Sequence, residues 1–448
     1  MPRLFGTDGV RGVAGAELSC QLAYDLGRAG AAVLTNGANR PRILVGRDTR
    51  LSGQMLECAL IAGICSVGAC AVPVGVMPTP AVAWLTRTYG ADAGVVISAS
   101  HNPMQFNGIK FFDRNGLKLP DSVEDRIEEI VKNGCRGIPC PTGEGVGRVE
   151  EAGGAEDDYI RFVQSLCGVD LTGMRIVLDC ANGAAYRIAP RLFSGLGADV
   201  LPIFDKPDGV NINERCGSTH MKALSSAVRE TGAQIGLAFD GDADRCLAVD
   251  ERGRVVDGDQ MMLLCADRMK RAGRLRHDTL VVTVMSNYGL TLAARERGIR
   301  LEKTAVGDRY VLECMRENGY ALGGEQSGHI IFLEDNTTGD GMVTGLNLLI
   351  AMKESGRPLS ELASIMTVLP QVLINVPVSE SRKRAWRDDP VIGEAIERIE
   401  RKWADAGRLL VRESGTEPLV RVMIEGDDRA AIEADARALA DLIAARLG

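Results

Sequence analysis

Three times along the chain, an apolar β-branched run stops abruptly at small and polar residues, and each time a second such run follows. "RILVGRDTR" (42–50) is followed by "AGVVISASHNP" (93–103), "RIVLDCANGAA" (175–185) by "IGLAFDGDADR" (235–245), and "TLVVTVMSNYG" (279–289) by "YALGGEQSGH" (320–329). Near-continuous apolar runs of this length are what strands buried on both faces of an α/β sheet require. The spacing therefore predicts a threefold internal repeat of α/β units, with helical segments such as Asp121 to Asn133 among the strands. Acid- and Gly-rich stretches at Glu150 to Asp157, at "DERGRVVDGDQ" and at Leu369–Pro370 separate the repeats. They give α/β domains over 1–152, 153–255 and 256–369, each presenting the carboxyl ends of its strands to a shared central cleft.

The last segment, 370–448, departs from the pattern. "VLINVPVS" and "PLVRVMIEG" alternate as half-exposed strands. "DDRAAIEADARALADLIAARLG" places Ile432, Ala436, Leu439 and Ile443 at helical spacing behind an acidic start, so an amphipathic helix capped by Asp427 or Asp428 is expected. The fold class is thus three similar α/β mixed-sheet domains plus a smaller α+β C-terminal domain.

The formal net charge of -8 over 448 residues opposes nucleic-acid binding, which needs a basic face. No apolar run approaches the length of a membrane span, and the N-terminus lacks the layout of a signal peptide, so a cytoplasmic protein with no membrane partner is expected. Twelve scattered cysteines in such a compartment read as reduced and mostly buried.

The chemistry-bearing residues gather where the apolar runs end. Ser100 and His101 follow "GVVISA", where a hydroxyl serves either a turn or a nucleophile. "DGDADR" puts Asp240, Asp242 and Asp244 on alternate positions. Carboxylates this close repel, and a hard cation such as magnesium is the usual reason to tolerate that. An EF-hand is the rival, but its sixth loop position requires Gly where this chain has Arg245, and its flanks must be helices. A solvated acidic turn is the bland alternative. "RESGTEPLVR" combines Arg412, Ser414, Gly415, Thr416 and Arg421, suited to cradling a phosphate or to an ordinary Ser-Gly turn. "GGEQSGH" offers Glu325 and Ser327 to neighbouring sugar hydroxyls, although a glycine turn explains it equally well.

Together these motifs resemble the α-D-phosphohexomutase superfamily, most closely its phosphoglucosamine mutase branch. The resemblance runs through "FGTDGVRG", "VGRDTRLSG", "ISASHNP" with "NGIKFF", "NINERCGSTH", "DGDADR", "MSNYGL", "TAVGDRYV", "GGEQSGH", "TTGDG" and "RESGTEPLVRV". It implies that Ser100 carries a phosphoryl group and that Asp240, Asp242 and Asp244 hold Mg2+ together with a phosphoryl oxygen on Ser100. It further implies that Arg245, His101, Lys110 and Arg11 surround the transferring group. Glu325 and Ser327 would grip the sugar, and the Arg412–Thr416 loop with Arg421 the phosphate that is not reacting. The implied reaction interconverts glucosamine 6-phosphate and glucosamine 1-phosphate through a bisphosphorylated sugar, on the route to UDP-N-acetylglucosamine and peptidoglycan precursors. A hexose bisphosphate or autophosphorylation would prime Ser100.

The branch differs from this chain at Met104, Gln105 and Phe106, where it carries more polar or tyrosine-rich residues, a change of packing rather than chemistry. "GEQSGH" and "GDRYV" favour glucosamine over the glucose or mannose phosphates of a phosphoglucomutase or phosphomannomutase. A magnesium-dependent sugar phosphatase, whose phosphoserine is hydrolysed, and a non-catalytic sugar-phosphate binder are the other readings. Assembly stands open between a single chain and a homodimer.

Overall fold

The computed structural model describes residues 3–6, 8–35, 40–404, 406–414 and 417–447. Strands β1 (Val10–Val13), β2 (Arg42–Arg47), β3 (Cys70–Val76), β4 (Ala93–Ile97) and β5 (Phe106–Asp113) form a sheet in the order β1-β5-β4-β2-β3. A second sheet, β10-β9-β8-β6-β7, contains β6 (Arg175–Asp179), β7 (Asp199–Ile203), β8 (Ile235–Phe239), β9 (Cys246–Asp250) and β10 (Val255–Val256). The third, β12-β11-β13-β14, contains β11 (Thr279–Thr283), β12 (Arg300–Thr304), β13 (Leu322–Gly324) and β14 (Ile330–Phe332).

All three sheets share one core. The strand pairs singled out by the repeat, β2 with β4, β6 with β8 and β11 with β13, are parallel neighbours. A further parallel strand flanks the first member of each pair, and an antiparallel strand flanks the second. Every residue of β4, β8 and β11 is buried, which is why these segments read as unbroken apolar runs. Each chemistry-bearing motif of the repeats occupies the same place, the short connection from the central parallel strand to its antiparallel neighbour: β4 to β5 for Ser100, β8 to β9 for the aspartates, β13 to β14 for Glu325.

The chain divides into two compact units, Met1–Met285 with Ile299–Ile365, and Ser286–Gly298 with Met366–Gly448. In the second unit, β15 (Gln371–Pro377), β16 (Gly407–Glu413) and β17 (Leu419–Gly426) form an antiparallel sheet in the order β15-β17-β16. The helix Arg429–Leu447 buries Ile432, Ala436, Leu439 and Ile443. Its cap is Asp428, whose Oδ1 accepts from the Ala430 and Ala431 amides. Residues 286–298 join this unit through the fully buried Glu425, which accepts from the Tyr288 amide, Asn287 Nδ2 and Arg408 Nε.

None of the twelve cysteines is bridged, and six are buried. Among the described residues no helix is long and apolar enough to cross a membrane.

Within the first unit, the helix Asp121–Lys132 meets the third repeat at Arg309. Glu124 lies 3.7 Å from both Arg3 and Arg309, and its Oε2 is buried without a hydrogen bond. Burial pushes this carboxyl up to about 7, although the two guanidinium groups oppose the shift. The raised value means that the fold favours the protonated form. That contribution is fully present below the ordinary value of 4.5 and is lost as pH rises through about 7. Glu124→Gln, which stays neutral, should therefore raise the melting temperature by about 2 °C at pH 8, the scale of roughly 1 kcal/mol in a unit this large. Calorimetry at several pH values checks it, and an equal gain near pH 4.5 would contradict the assignment.

Candidate active site

Ser100 sits just past β4, 2 % exposed, with φ 53°, a left-handed backbone that a non-glycine residue adopts at a cost of about 1–3 kcal/mol. Its neighbours hold it there. The Ser100 amide donates to Ser98 Oγ at 3.0 Å, and its carbonyl accepts from Arg50 Nη2 and Asn213 Nδ2, each at 2.9 Å. The hydroxyl donates to Asp240 Oδ2 at 2.6 Å and lies 3.4 Å from His101 Nδ1. Gly241 permits this meeting of loops, because a Cβ there would stand 2.5 Å from the Ser100 carbonyl oxygen.

Asp240, Asp242 and Asp244 are all buried, with one carboxylate oxygen of each within 4.8 Å of the others. They flank β8 and β9, two antiparallel strands, so the EF-hand alternative lacks its helices. The protein holds one oxygen of Asp242 and of Asp244 and both of Asp240, whose Oδ2 takes the Ser100 hydroxyl. Asp242 Oδ2 accepts from Thr79 Oγ1 at 2.7 Å and Lys110 Nζ at 2.9 Å, Asp240 Oδ1 accepts from the Arg245 amide at 3.2 Å, and Asp244 Oδ2 faces His329 Nδ1 at 3.5 Å. Asp242 Oδ1 and Asp244 Oδ1 are buried with no hydrogen-bond partner among the described residues. Orphaned carboxylate oxygens beside a serine hydroxyl form a hard, all-oxygen donor set, which fits a magnesium-like cation.

The electrostatics show the same crowding. Burial, then Asp244 and Asp242, push the Asp240 carboxyl well above the ordinary range. Burial would raise Asp244 too, but His329, Lys110 and Arg245 hold it below that range. Burial opposes the charge on Lys110, yet Asp242, Asp8 and Asp244 raise its pKa, so it stays an ammonium. Burial, then Arg245 and Arg11, lower His101, leaving a neutral imidazole beside the serine. Arg11, on β1, pairs with Asp8, which also accepts from Lys110 at 2.9 Å. Arg245 Nε is 3.9 Å from Asp244 Oδ1, and its guanidinium also feels the charge of Glu325.

Glu325 and Ser327 occupy the corresponding connection of the third repeat. Glu325 Oε1 accepts from the Gly307 amide at 3.1 Å, and Ser327 Oγ is 3.5 Å from Glu325 Oε2. In the C-terminal unit, Arg412 on β16 lies directly opposite Arg421 on β17. Burial, then Arg421, lower the Arg412 pKa, and like charges in register are unfavourable unless an anion joins them. Ser414 is 2 % exposed, and Arg421 Nη2 donates to Glu417 at 3.1 Å. Gly415 and Thr416 lie outside the described residues.

Several residues of the site were not singled out from sequence: Asp48, Arg50, Ser98, Thr79, Asn213 and His329. The available signal was position, since Asp48 and Arg50 end the first apolar run as the serine motif ends the second. Arg50 has a fully buried side chain whose Nε pairs with Asp48 Oδ2 at 2.9 Å while its Nη atoms donate to the Ser100, Asn102 and Pro103 carbonyls. Asp48 in turn accepts from Ser98 Oγ at 2.6 Å. Lysine cannot reproduce this fork. Arg50→Lys should cost about 3 kcal/mol of stability and, by displacing the Ser100 loop, on the order of 100-fold in turnover. Denaturant unfolding and steady-state kinetics check the two effects, and unchanged turnover would remove Arg50 from the site.

The family described as phosphoglucomutase/phosphomannomutase matches in four parts: alpha/beta/alpha domain I over residues 2–136, domain II over 157–253, domain III over 257–369 and the C-terminal domain over 373–442. The phosphoglucosamine mutase of Clostridium novyi is 59% identical over 443 residues, 99% of each chain. Among solved structures, a phosphoglucomutase/phosphomannomutase family protein from Burkholderia thailandensis superposes with TM-score 0.81 at 27% identity, covering 100% of this chain and 98% of that one. An Aspergillus fumigatus N-acetylphosphoglucosamine mutase, solved in complex with GlcNAc-6P and magnesium, shares the fold at TM-score 0.69 and 18% identity, covering 99% of this chain and 96% of that one. With full-length identity of this order and all four parts matched in sequence, the chain belongs to the phosphoglucosamine mutases of the phosphohexomutase superfamily.

Proposed function

We propose that the chain interconverts glucosamine 6-phosphate and glucosamine 1-phosphate, with Ser100 as the phosphoryl carrier. The observation that carries this reading is the Ser100 hydroxyl, hydrogen-bonded at 2.6 Å to Asp240, one of three buried aspartates, with Asp242 Oδ1 and Asp244 Oδ1 making no hydrogen bond among the described residues. Phosphoserine passes its group to the 1-hydroxyl of glucosamine 6-phosphate, giving a 1,6-bisphosphate and a free serine. The bisphosphate turns over, its 6-phosphoryl group passes to Ser100, and glucosamine 1-phosphate leaves with the phosphoenzyme restored.

Asp240, Asp242, Asp244 and a phosphoryl oxygen on Ser100 would hold Mg2+, which when bound supplies positive charge to the phosphoryl oxygens. The Lys110 ammonium and the Arg245 and Arg11 guanidinium groups neutralise the same region, and neutral His101 can accept a proton near Ser100 Oγ. Glu325 and Ser327 bind sugar hydroxyls. Arg412, Ser414, Gly415, Thr416 and Arg421 supply the second phosphate grip that a bisphosphate requires. The division of labour follows the segments 1–152, 153–255, 256–369 and 370–448. A hexose bisphosphate primes Ser100, and the reading places the enzyme in the cytoplasm.

Incubation with Mg2+ and glucose 1,6-bisphosphate should add about 80 Da, one phosphoryl group, mapped to Ser100 and lost when glucosamine 6-phosphate is added. Chelation should abolish transfer, magnesium should restore it, and Ser100→Ala should accept no label. Release of inorganic phosphate in step with substrate loss would instead indicate a phosphatase. A tenfold or greater preference for glucose 6-phosphate would overturn the substrate assignment.

A further inference from the structure

Two charged motifs have no role in the cycle above: Asp8 in "FGTDG" and Asp308 in "VGDRY". Both converge on one lysine. Lys118 Nζ donates to Asp8 Oδ1 at 2.6 Å and to Asp308 Oδ2, with its side chain 14% exposed. Its backbone is fixed beside the Lys110 strand, since Phe112 and Lys118 form an antiparallel bridge closed by the Asp113–Leu117 turn. Asp8 gives its other oxygen, Oδ2, to Lys110 at 2.9 Å, and Lys110 holds Asp242. Asp308 Oδ2 lies 3.4 Å from His329 Nε2, whose other nitrogen faces Asp244. A continuous series of contacts results, running from one end of the aspartate triad to the other: Asp242, Lys110, Asp8, Lys118, Asp308, His329, Asp244.

Resting on the functional reading above, we propose that Lys118 is a positioning residue for phosphoryl transfer, setting Lys110 and His329 against the two ends of the aspartate triad. The physical reason is division of oxygens. Asp8 and Asp308 are like charges that feel one another, and Lys118 is the cation between them. With it present, Asp8 Oδ1 is occupied and Oδ2 alone turns to Lys110. His329 Nε2, meanwhile, accepts from the Gly339 amide at 3.0 Å beside an Asp308 already neutralised by Lys118. Without Lys118, Asp8 and Asp308 repel, Asp8 Oδ1 is free to turn to Lys110 and Arg11, which Oδ2 already holds, and unpaired Asp308 repels the Nε2 lone pair that accepts from Gly339. Both ends of the triad then lose their orientation, though Lys118 touches neither.

Lys118→Met, Lys118→Arg, Asp308→Asn and the double variant Lys118→Met/Asp308→Asn test this in the full chain. Expected for Lys118→Met is a fall in kcat of tenfold or more, counted per phosphorylatable Ser100, with KM for glucosamine 6-phosphate within threefold, and Mg2+ affinity by calorimetry weakened threefold or more. Lys118→Arg should recover most of kcat. The double variant should lose less than the product of the single losses, because removing both partners strands no charge. A folded Lys118→Met protein with kcat and Mg2+ affinity within twofold of wild type would overturn the proposal. So would losses that vanish when counted per phosphorylatable Ser100. Failure of the functional reading looks different, since wild-type protein would then give no glucosamine 1-phosphate. The Mg2+ affinities of the same variants would still decide the role of Lys118.

Discussion

Three buried carboxylates within 4.8 Å of one another are the condition that the surrounding structure answers. Taking such charges out of water is costly unless each is paired or hydrogen-bonded. Lys110 and Thr79 reach Asp242, His329 and the Arg245 guanidinium reach Asp244, and the Arg245 amide reaches Asp240, yet among the described residues two buried oxygens make no hydrogen bond. Both belong to the aspartate cluster to which the Ser100 hydroxyl donates. The donor set therefore fits a hard cation, and the Ser100 amide and carbonyl are held beside it by Ser98, Arg50 and Asn213.

The threefold repeat explains how the components arrive. In each sheet the connection from a buried parallel strand to its antiparallel neighbour leaves from the strand's carboxyl end, the place where open α/β sheets present ligand-binding loops. The first repeat uses the connection for a hydroxyl, the second for carboxylates, the third for a carboxylate and hydroxyl pair beside His329. One scaffold thus delivers different functional groups from equivalent positions. The loops of the first unit meet through contacts as close as Ser100 with Asp240 and Asp244 with His329.

Much of this was legible in the sequence because the relevant signals are local. Buried parallel strands are written as apolar runs, so the pairs β2/β4, β6/β8 and β11/β13 could be read directly. Alternating aspartates could be read as a cation site. What stayed hidden depends on contacts distant in sequence. Arg50 looks like a surface arginine at a strand end, and only the folded chain brings it to three carbonyls of the serine loop. Lys118 sits in "NGLKL", an unremarkable turn, while its partners lie 110 and 190 residues away. Strand β16 also escaped, because "GRLLVRE" alternates too weakly to stand out. Residues 286–298 read as part of the third repeat, whereas buried Glu425 draws them to the C-terminal sheet.

The way Ser100 is held suits the carrier role proposed for it. As a free hydroxyl it donates to Asp240, whereas a phosphorylated Oγ would have no proton to donate, so that bond would be lost on phosphorylation. A loop positioned by its hydroxyl would shift at every half-cycle. This loop is positioned by backbone groups instead, through Ser98 on the Ser100 amide and through Arg50 and Asn213 on its carbonyl. None of those contacts involves Oγ. The left-handed backbone at Ser100 is thus held by bonds that do not depend on the hydroxyl.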